Sequence, residues 1–194
     1  MIFLLVPTCY LLGSIPFSFI IAKIWGVDLR RVGSGNIGAT NVLRSAGLMP
    51  GVLAFFFDFA KGWGAVLLGS LVSGDPLTII LLGSAALLGH TFPVFLKFRG
   101  GKGAATGFGI LAGITPDVFG LALLLVAIII YATRYVSLAS IITPWFTALL
   151  MYLMGKPAPY LYLTVAAAIF ILVRHLPNIK RLINGTEPRI GENK

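Results

Sequence analysis

The chain has 194 residues, of which 58% are hydrophobic and only 11% charged. Soluble domains carry about 25% charged residues, so one water-soluble globule is excluded and a single polytopic helical membrane domain over 1–194 is expected. The formal charge of +9 would suggest nucleic acid in a soluble protein. In so apolar a chain the basic residues instead anchor and orient membrane helices, and no nucleic-acid partner is expected.

In chain order, apolar segments fall at 2–24, 51–72, 77–96, 103–116, 117–133, 138–154 and 159–174. A bilayer is crossed by about 17–25 apolar residues, which makes these seven candidate spans. The first lacks a basic leader region and is long enough to span, so no cleavable signal peptide is expected. It holds Cys9, the one cysteine, which leaves no internal disulfide and no cysteine metal cluster. The fourth segment is short and has a re-entrant alternative. The residues Glu192 to Lys194 read as a loose tail.

Loop charge chooses between the two topologies. With seven spans and the N-terminus outside, the inner side holds Lys23, Arg30, Arg31, Arg44, Lys97, Arg99, Lys102, Arg134, Arg174, Lys180, Arg181, Arg189 and Lys194. Only Lys156 then lies outside, with Lys61 in the membrane. A re-entrant fourth segment would send Arg134 and the C-terminal cations outside. The positive-inside rule favours an all-α bundle of seven transmembrane helices, N-terminus outside and C-terminus cytoplasmic. The polar stretches 33–44, 97–103, 134–143 and 174–189 then share the cytoplasmic side.

The stretch Ser34-Gly35-Asn36-Ile37-Gly38-Ala39-Thr40-Asn41-Val42-Leu43-Arg44 carries the strongest chemical signal. Glycines let backbone N–H groups approach an anion, and Ser, Asn and Arg add side-chain donors. A mere chain turn does not account for two asparagines, a serine and an arginine together. Gly100-Gly101-Lys102-Gly103 opens the fourth helix, where unpaired N–H groups favour phosphate and a lysine adds charge. It is not a P-loop, because Leu96 and Gly103 stand where glycine and Ser/Thr are needed. Close helix packing by glycines is the competing reading.

Asp58 and Lys61 lie at i, i+3 on one helix face inside the second span. A charge there costs about 2.5–3.5 kcal/mol on insertion scales, so the two form a self-neutralising pair or support the cytoplasmic site. Ser137, Ser140 and Thr143 recur at i, i+3, i+6 and serve either a substrate or their own backbone. Neither histidine has an acid after a gap of four residues, as a His-x4-Asp acyltransferase dyad requires: Phe95 stands there for His90 and Lys180 for His175. His90 reads as a packing or hydrogen-bonding residue. His175 opens a polar run leaving the last span, which is either part of a site or a basic membrane-edge flank.

Three ordered blocks carry a resemblance. They are Gly13-Ser14-Ile15-Pro16 with Ser34-Gly35-Asn36 to Arg44; Phe98-Arg99-Gly100-Gly101-Lys102-Gly103; and His175-Leu176-Pro177-Asn178-Ile179-Lys180-Arg181 with Gly185-Thr186-Glu187. Over essentially its whole length the chain resembles the bacterial acyl-phosphate:glycerol-3-phosphate acyltransferases of the PlsY type. The resemblance implies an enzyme of the bacterial cytoplasmic (inner) membrane. Such an enzyme transfers a fatty acyl group from acyl phosphate, not from a thioester, to the sn-1 hydroxyl of glycerol 3-phosphate. The product is lysophosphatidic acid, made for phospholipid synthesis.

On that resemblance the mechanism expected is direct displacement without an enzyme nucleophile, a substrate phosphate oxygen serving as base. Ser34, Gly35, Asn36, Arg44 and Lys102 would hold phosphate. Asn41, Ser140, His175 and Asn178 would orient glycerol hydroxyls or the leaving phosphate. Thr40, Lys97, Gly101, Gly103, Ser137 and Lys180 would line the substrate site. Asp58, Lys61 and Glu187 would give structural support, Glu187 by bracing the basic tail. No metal, cofactor or obligate protein partner is expected; membrane lipid would surround the enzyme. A small-anion or lipid transporter would use the same basic mouth. The polar residues do not continue to the outer side, however, and no inverted repeat of broken helices is visible. A structural subunit without chemistry would not concentrate Asn, Ser, Lys and Arg in short loops.

Overall fold

The structure is a computed structural model and describes residues 2–191, so the expected tail Glu192 to Lys194 lies outside the described residues. All its regular elements are helices, in two compact units, Met1–Ile114 and Thr115–Lys194.

In the first unit, α1 (Ile2–Ser14) and α2 (Phe17–Ile24) form one broken span. Pro16 stands at the break, where it has no N–H to continue the ladder. A short amphipathic helix, α3 (Ala39–Ala46), precedes α4 (Leu48–Val72). Helix α5 (Pro76–Thr91) starts where the Asp75 carboxylate accepts the Thr78 N–H at 2.9 Å and Pro76 occupies the first turn. A 3-10 turn, Val94–Leu96, and a glycine-rich loop lead into α6 (Ala104–Ile114).

Close helix contact through small residues holds this unit together, as expected where lipid removes the hydrophobic incentive between helices. A Cβ on Gly89 would sit 2.1 Å from the Tyr10 carbonyl oxygen, and one on Gly13 2.1 Å from that of Ala86. These two glycines let α1 and α5 touch backbone to backbone. Around them Cys9, Ala65, Leu82, Ala85 and Ala86 form one apolar core cluster. Ile21, Ala22, Leu29, Ile37, Val42 and Ala54 form a second, under the first polar loop.

The second unit contains α7 (Pro116–Thr133), α8 (Val136–Leu153), α9 (Ala158–Arg174) and α10 (Leu176–Ile183). Helix α8 packs against both α7 and α9. Lys156, in the α8–α9 turn, forms an ion pair with Asp117 in the first turn of α7. Helix α10 turns away from α9 by 57° at His175.

Among the described residues five helical segments are long and apolar enough to cross a membrane, or six if α9 and α10 count as one bent span. The expected segment at 103–116 is the 11-residue α6. At about 1.5 Å per residue it rises about 16 Å, against about 30 Å of hydrocarbon. The other expected segments coincide with the helical spans to within a few residues.

The α1–α5 contact gives a stability test. Gly89→Ala must push a Cβ into backbone and should cost about 1–3 kcal/mol. Gly64, in the same kind of helix interior, has nothing within 4 Å of its Cβ direction. Gly64→Ala should therefore stabilise by up to about 1 kcal/mol through helix propensity. Thermal midpoints of the two variants in detergent should move in opposite directions.

Candidate active site

The first polar loop folds around one buried amide. Asn41, 1% exposed, donates through Nδ2 to the carbonyls of Leu29 (3.2 Å), Val32 (3.2 Å) and Asn36 (3.0 Å). Its Oδ1 accepts the Ser34 N–H at 3.1 Å. The resemblance set Asn41 to orient glycerol hydroxyls or the leaving phosphate; in the structure both ends of its amide bond the loop. Ser34 and Gly35 are left exposed at the tip, with Asn36 half-buried behind them. Gly35 sits at φ 68°, a left-handed conformation that suits glycine. Thr40 and Arg44, both half-buried, lie one turn apart on α3. Arg30 is engaged elsewhere: its guanidinium bonds Asp28 at 2.8 Å, holding that carboxyl down to about 2, and stacks on Phe19.

The second loop is pinned to the end of α5. The Gly100 N–H donates to the Thr91 carbonyl (3.0 Å) and the Gly101 N–H to that of His90 (3.2 Å). Lys97 and Phe98 sit at φ 52° and 62°, a conformation that costs non-glycine residues about 1–3 kcal/mol and that neighbouring contacts must enforce. The Phe98 N–H accordingly bonds the Pro93 carbonyl at 2.9 Å. Lys97 is exposed, Lys102 half-buried, and Gly103 bonds into the first turn of α6. The two loops meet at Gly101. A Cβ there would lie 2.7 Å from the Ile37 carbonyl oxygen and 2.3 Å from His90 Nε2. Only glycine fits, and the contact sets Gly101, the neighbour of Lys102, against Ile37, the neighbour of Asn36.

Beneath the loops lies a buried charged cluster. Asp58 Oδ1 is 2.8 Å from Lys61 Nζ and 3.5 Å from His90 Nδ1. The Ser18 hydroxyl donates to Asp58 Oδ2 at 2.5 Å, and Lys61 Nζ donates to the Ile15 carbonyl, at the α1–α2 break, at 3.0 Å. Thr106 on α6 donates to the Asp58 backbone carbonyl at 2.9 Å. The i, i+3 spacing made the Asp58–Lys61 pair readable in sequence. Ser18 and Thr106 were missed, and the Pro16 break beside Ser18 was the one local hint.

In the second unit Glu187, 4% exposed, organises the C-terminal motif. Its carboxylate accepts from Asn178 Nδ2 and from Arg181 Nε, both at 2.7 Å. Burial pushes its pKa up, but the hydrogen bonds from Asn178 and Arg181 and the guanidinium charge hold it below the ordinary glutamate value. With Nδ2 committed, the Asn178 amide is held in one orientation. His175, also buried, points Nδ1 at the Ile171 carbonyl at 2.8 Å, so that nitrogen carries the proton. Ser140 donates to the Val136 carbonyl at 2.9 Å, the backbone alternative weighed above, and Lys180 is exposed. Past Glu187 the chain returns over the α7–α8 turn: the Ile190 N–H bonds the Arg134 carbonyl and Arg189 bonds the Tyr135 hydroxyl.

Residues 3–185 match the family model described as glycerol-3-phosphate acyltransferase. The chain belongs to the glycerol-3-phosphate acyltransferase family. It is 46% identical to a glycerol-3-phosphate acyltransferase of Thermosipho melanesiensis, over 92% of this chain and 87% of the relative. It is 45% identical to that of Aquifex aeolicus, over 95% and 97%. Among solved structures it is similar to the integral membrane glycerol 3-phosphate acyltransferase PlsY. The glycerol 3-phosphate form matches with TM-score 0.94 and 44% identity, over 98% of this chain and 96% of that one. The lysophosphatidic acid form matches with TM-score 0.91 and 42% identity, over 98% and 95%.

The Glu187 bracket has a pH signature. A carboxylate with a depressed folded pKa contributes stability above its unfolded value, about 4.3, and loses it as pH falls through the folded value. The protection of the amides at 184–191, taken against their intrinsic exchange rates, should therefore fall on acidification below that range. In Glu187→Gln it should already be low at neutral pH and lack the acid step.

Proposed function

We propose that this protein transfers a fatty acyl group from acyl phosphate to the sn-1 hydroxyl of glycerol 3-phosphate, releasing lysophosphatidic acid and phosphate. The observation that supports this reading is the contact of the two glycine loops, where Gly101, the neighbour of Lys102, lies against the carbonyl of Ile37, the neighbour of Asn36. Both substrates are phosphates, and a lysine and an arginine with the side-chain donors of Ser34 and Asn36 suit them. Ser34, Gly35, Asn36, Arg44 and Lys102 hold phosphate oxygens. His175 and Asn178 orient the glycerol hydroxyl or the leaving phosphate. Thr40, Lys97, Gly103, Ser137 and Lys180 line the approach. Asn41 and Ser140 act through the backbone they bond.

An acyl phosphate is a mixed anhydride, already activated, with a good leaving group. Its reaction with an alcohol needs alignment and charge stabilisation more than an enzyme nucleophile. The glycerol hydroxyl attacks the acyl carbon, the acyl–phosphate C–O bond breaks, and the hydroxyl proton passes to a substrate phosphate oxygen. No cofactor, nucleic acid or protein partner is required. Both units serve this one activity as a single domain over 1–194, in the bacterial cytoplasmic membrane.

Kinetics in detergent test the reading. Initial rates with both substrates varied should give intersecting double-reciprocal lines, Cys9→Ala should stay active, and acyl-CoA should fail as donor. Losing a charge-assisted contact costs about 1.5–3 kcal/mol, so alanine at Ser34, Arg44 or Lys102 should lower kcat/KM at least about tenfold. Arg44→Lys should restore it only in part, for want of the planar fork. A chemically competent acyl-enzyme would overturn direct transfer, and phosphate flux across vesicles without turnover would favour a transporter.

For topology we propose seven spans, α6 included, with the N-terminus outside and the C-terminus cytoplasmic. Cysteines placed at 36 and 178 should label from the cytoplasmic side and one at 156 from outside. Labelling of 178 from outside would refute this arrangement.

A further inference from the structure

The buried cluster under the glycine loop carries an inference about how that loop is positioned. His90 touches the loop in two ways. Its carbonyl accepts the Gly101 N–H at 3.2 Å, and its ring lies against Gly101, with Nε2 2.3 Å from where a Cβ would stand. The other ring nitrogen, Nδ1, is 3.5 Å from Asp58 Oδ1. The same aspartate reaches the far side of the loop, because its backbone carbonyl takes the Thr106 hydroxyl at 2.9 Å, four residues beyond Lys102. Asp58 is itself fixed from two further directions, by Ser18 and by Lys61.

We propose that Asp58, His90 and Thr106 are positioning residues for the phosphate-holding loop 100–103, with Asp58 fixing the imidazole and the imidazole fixing Gly101. This rests on the reading of that loop as a phosphate cradle. An imidazole nitrogen facing a carboxylate carries its proton there, which leaves the other nitrogen as an acceptor. Here that acceptor faces loop backbone, in a gap only glycine leaves open. Neither end of the loop can shift without breaking a buried polar contact, so Lys102 is presented from a fixed frame.

Substitutions separate the two ring nitrogens. In His90→Asn the amide reaches about as far as Nδ1, keeping a donor for Asp58 and placing nothing at Nε2. In His90→Gln the amide reaches toward Nε2. Thr106→Val is isosteric and removes only the far anchor, so it carries the test where a His90 variant does not fold. The expected result for His90→Asn and Thr106→Val is a rise of about tenfold in KM for at least one of the two phosphate substrates. The change in kcat should stay under threefold and the thermal midpoint should hold. His90→Gln should recover most of the loss, and amide exchange at 97–103 should quicken in His90→Asn. KM values within threefold of the unsubstituted chain, a loss confined to kcat, or unchanged exchange at 97–103 would overturn the proposal. Exchange reads loop order without turnover. Failure of the unsubstituted chain to use acyl phosphate would therefore count against the proposed function and leave the positioning role to be decided by exchange.

Discussion

An ionised carboxylate cannot stand alone in an apolar bundle, and the first unit is arranged around that constraint at Asp58. With both Asp58 and Lys61 nearly inaccessible, the 2.8 Å ion pair replaces the hydration each has lost. Lys61 needs a further acceptor and finds it in the Ile15 carbonyl, which is available because Pro16 interrupts the helix. The second carboxylate oxygen takes Ser18 on α2, and His90 on α5 closes on the first. Three helices, α2, α4 and α5, thus commit a polar group to one carboxylate, and Thr106 on α6 bonds the backbone carbonyl of the same residue. Such a centre is indifferent to hydrophobic sliding, which small-residue packing alone would allow, and it fixes the register in which α5 and α6 present the loop between them.

How much of this was legible follows from the range of each interaction. The apolar runs place the long helices because the bilayer sets their length. Helices α3 and α10 read as polar loops, since eight residues with one apolar face leave too weak a pattern between flanking turns. The 57° turn at His175 was likewise hidden inside what read as a polar flank. Within the site, Asp58–Lys61 was legible because a helix brings i and i+3 together. Ser18 and Thr106 join the same cluster across 40 and 48 residues, and nothing in a single sequence encodes that meeting.

Asn41 teaches the opposite lesson. An asparagine in a glycine-rich loop suggests a ligand contact, yet a buried loop must also satisfy its own backbone. Three carbonyls and one N–H converge on that single side chain. Residue type alone cannot separate a donor for substrate from a donor for the loop, because both uses need the same chemistry. The distinction lies in exposure: Ser34 and Gly35 at the tip are open where Asn41 is closed. Ser140 sorts the same way, its hydroxyl taken by the turn before it.

The two units solve one problem by different means. Under the proposed chemistry the substrates bring the reactive bond, the charge and the base, so the protein's contribution is geometric. Its polar side chains must then be held before any substrate arrives, since flexible groups would give back in ordering entropy what they gain in contact. In the first unit the holding groups lie below the loop, in an ion-pair cluster reached from several helices. In the second a single carboxylate does the holding: Glu187 fixes Asn178 and Arg181 together from the returning chain. A glutamate that already accepts two strong donors, and whose pKa is held low by them, is a poor proton acceptor for a substrate hydroxyl. The same geometry that makes Glu187 an effective brace argues against it as the general base, and leaves the substrate phosphate as the better-suited acceptor for that proton.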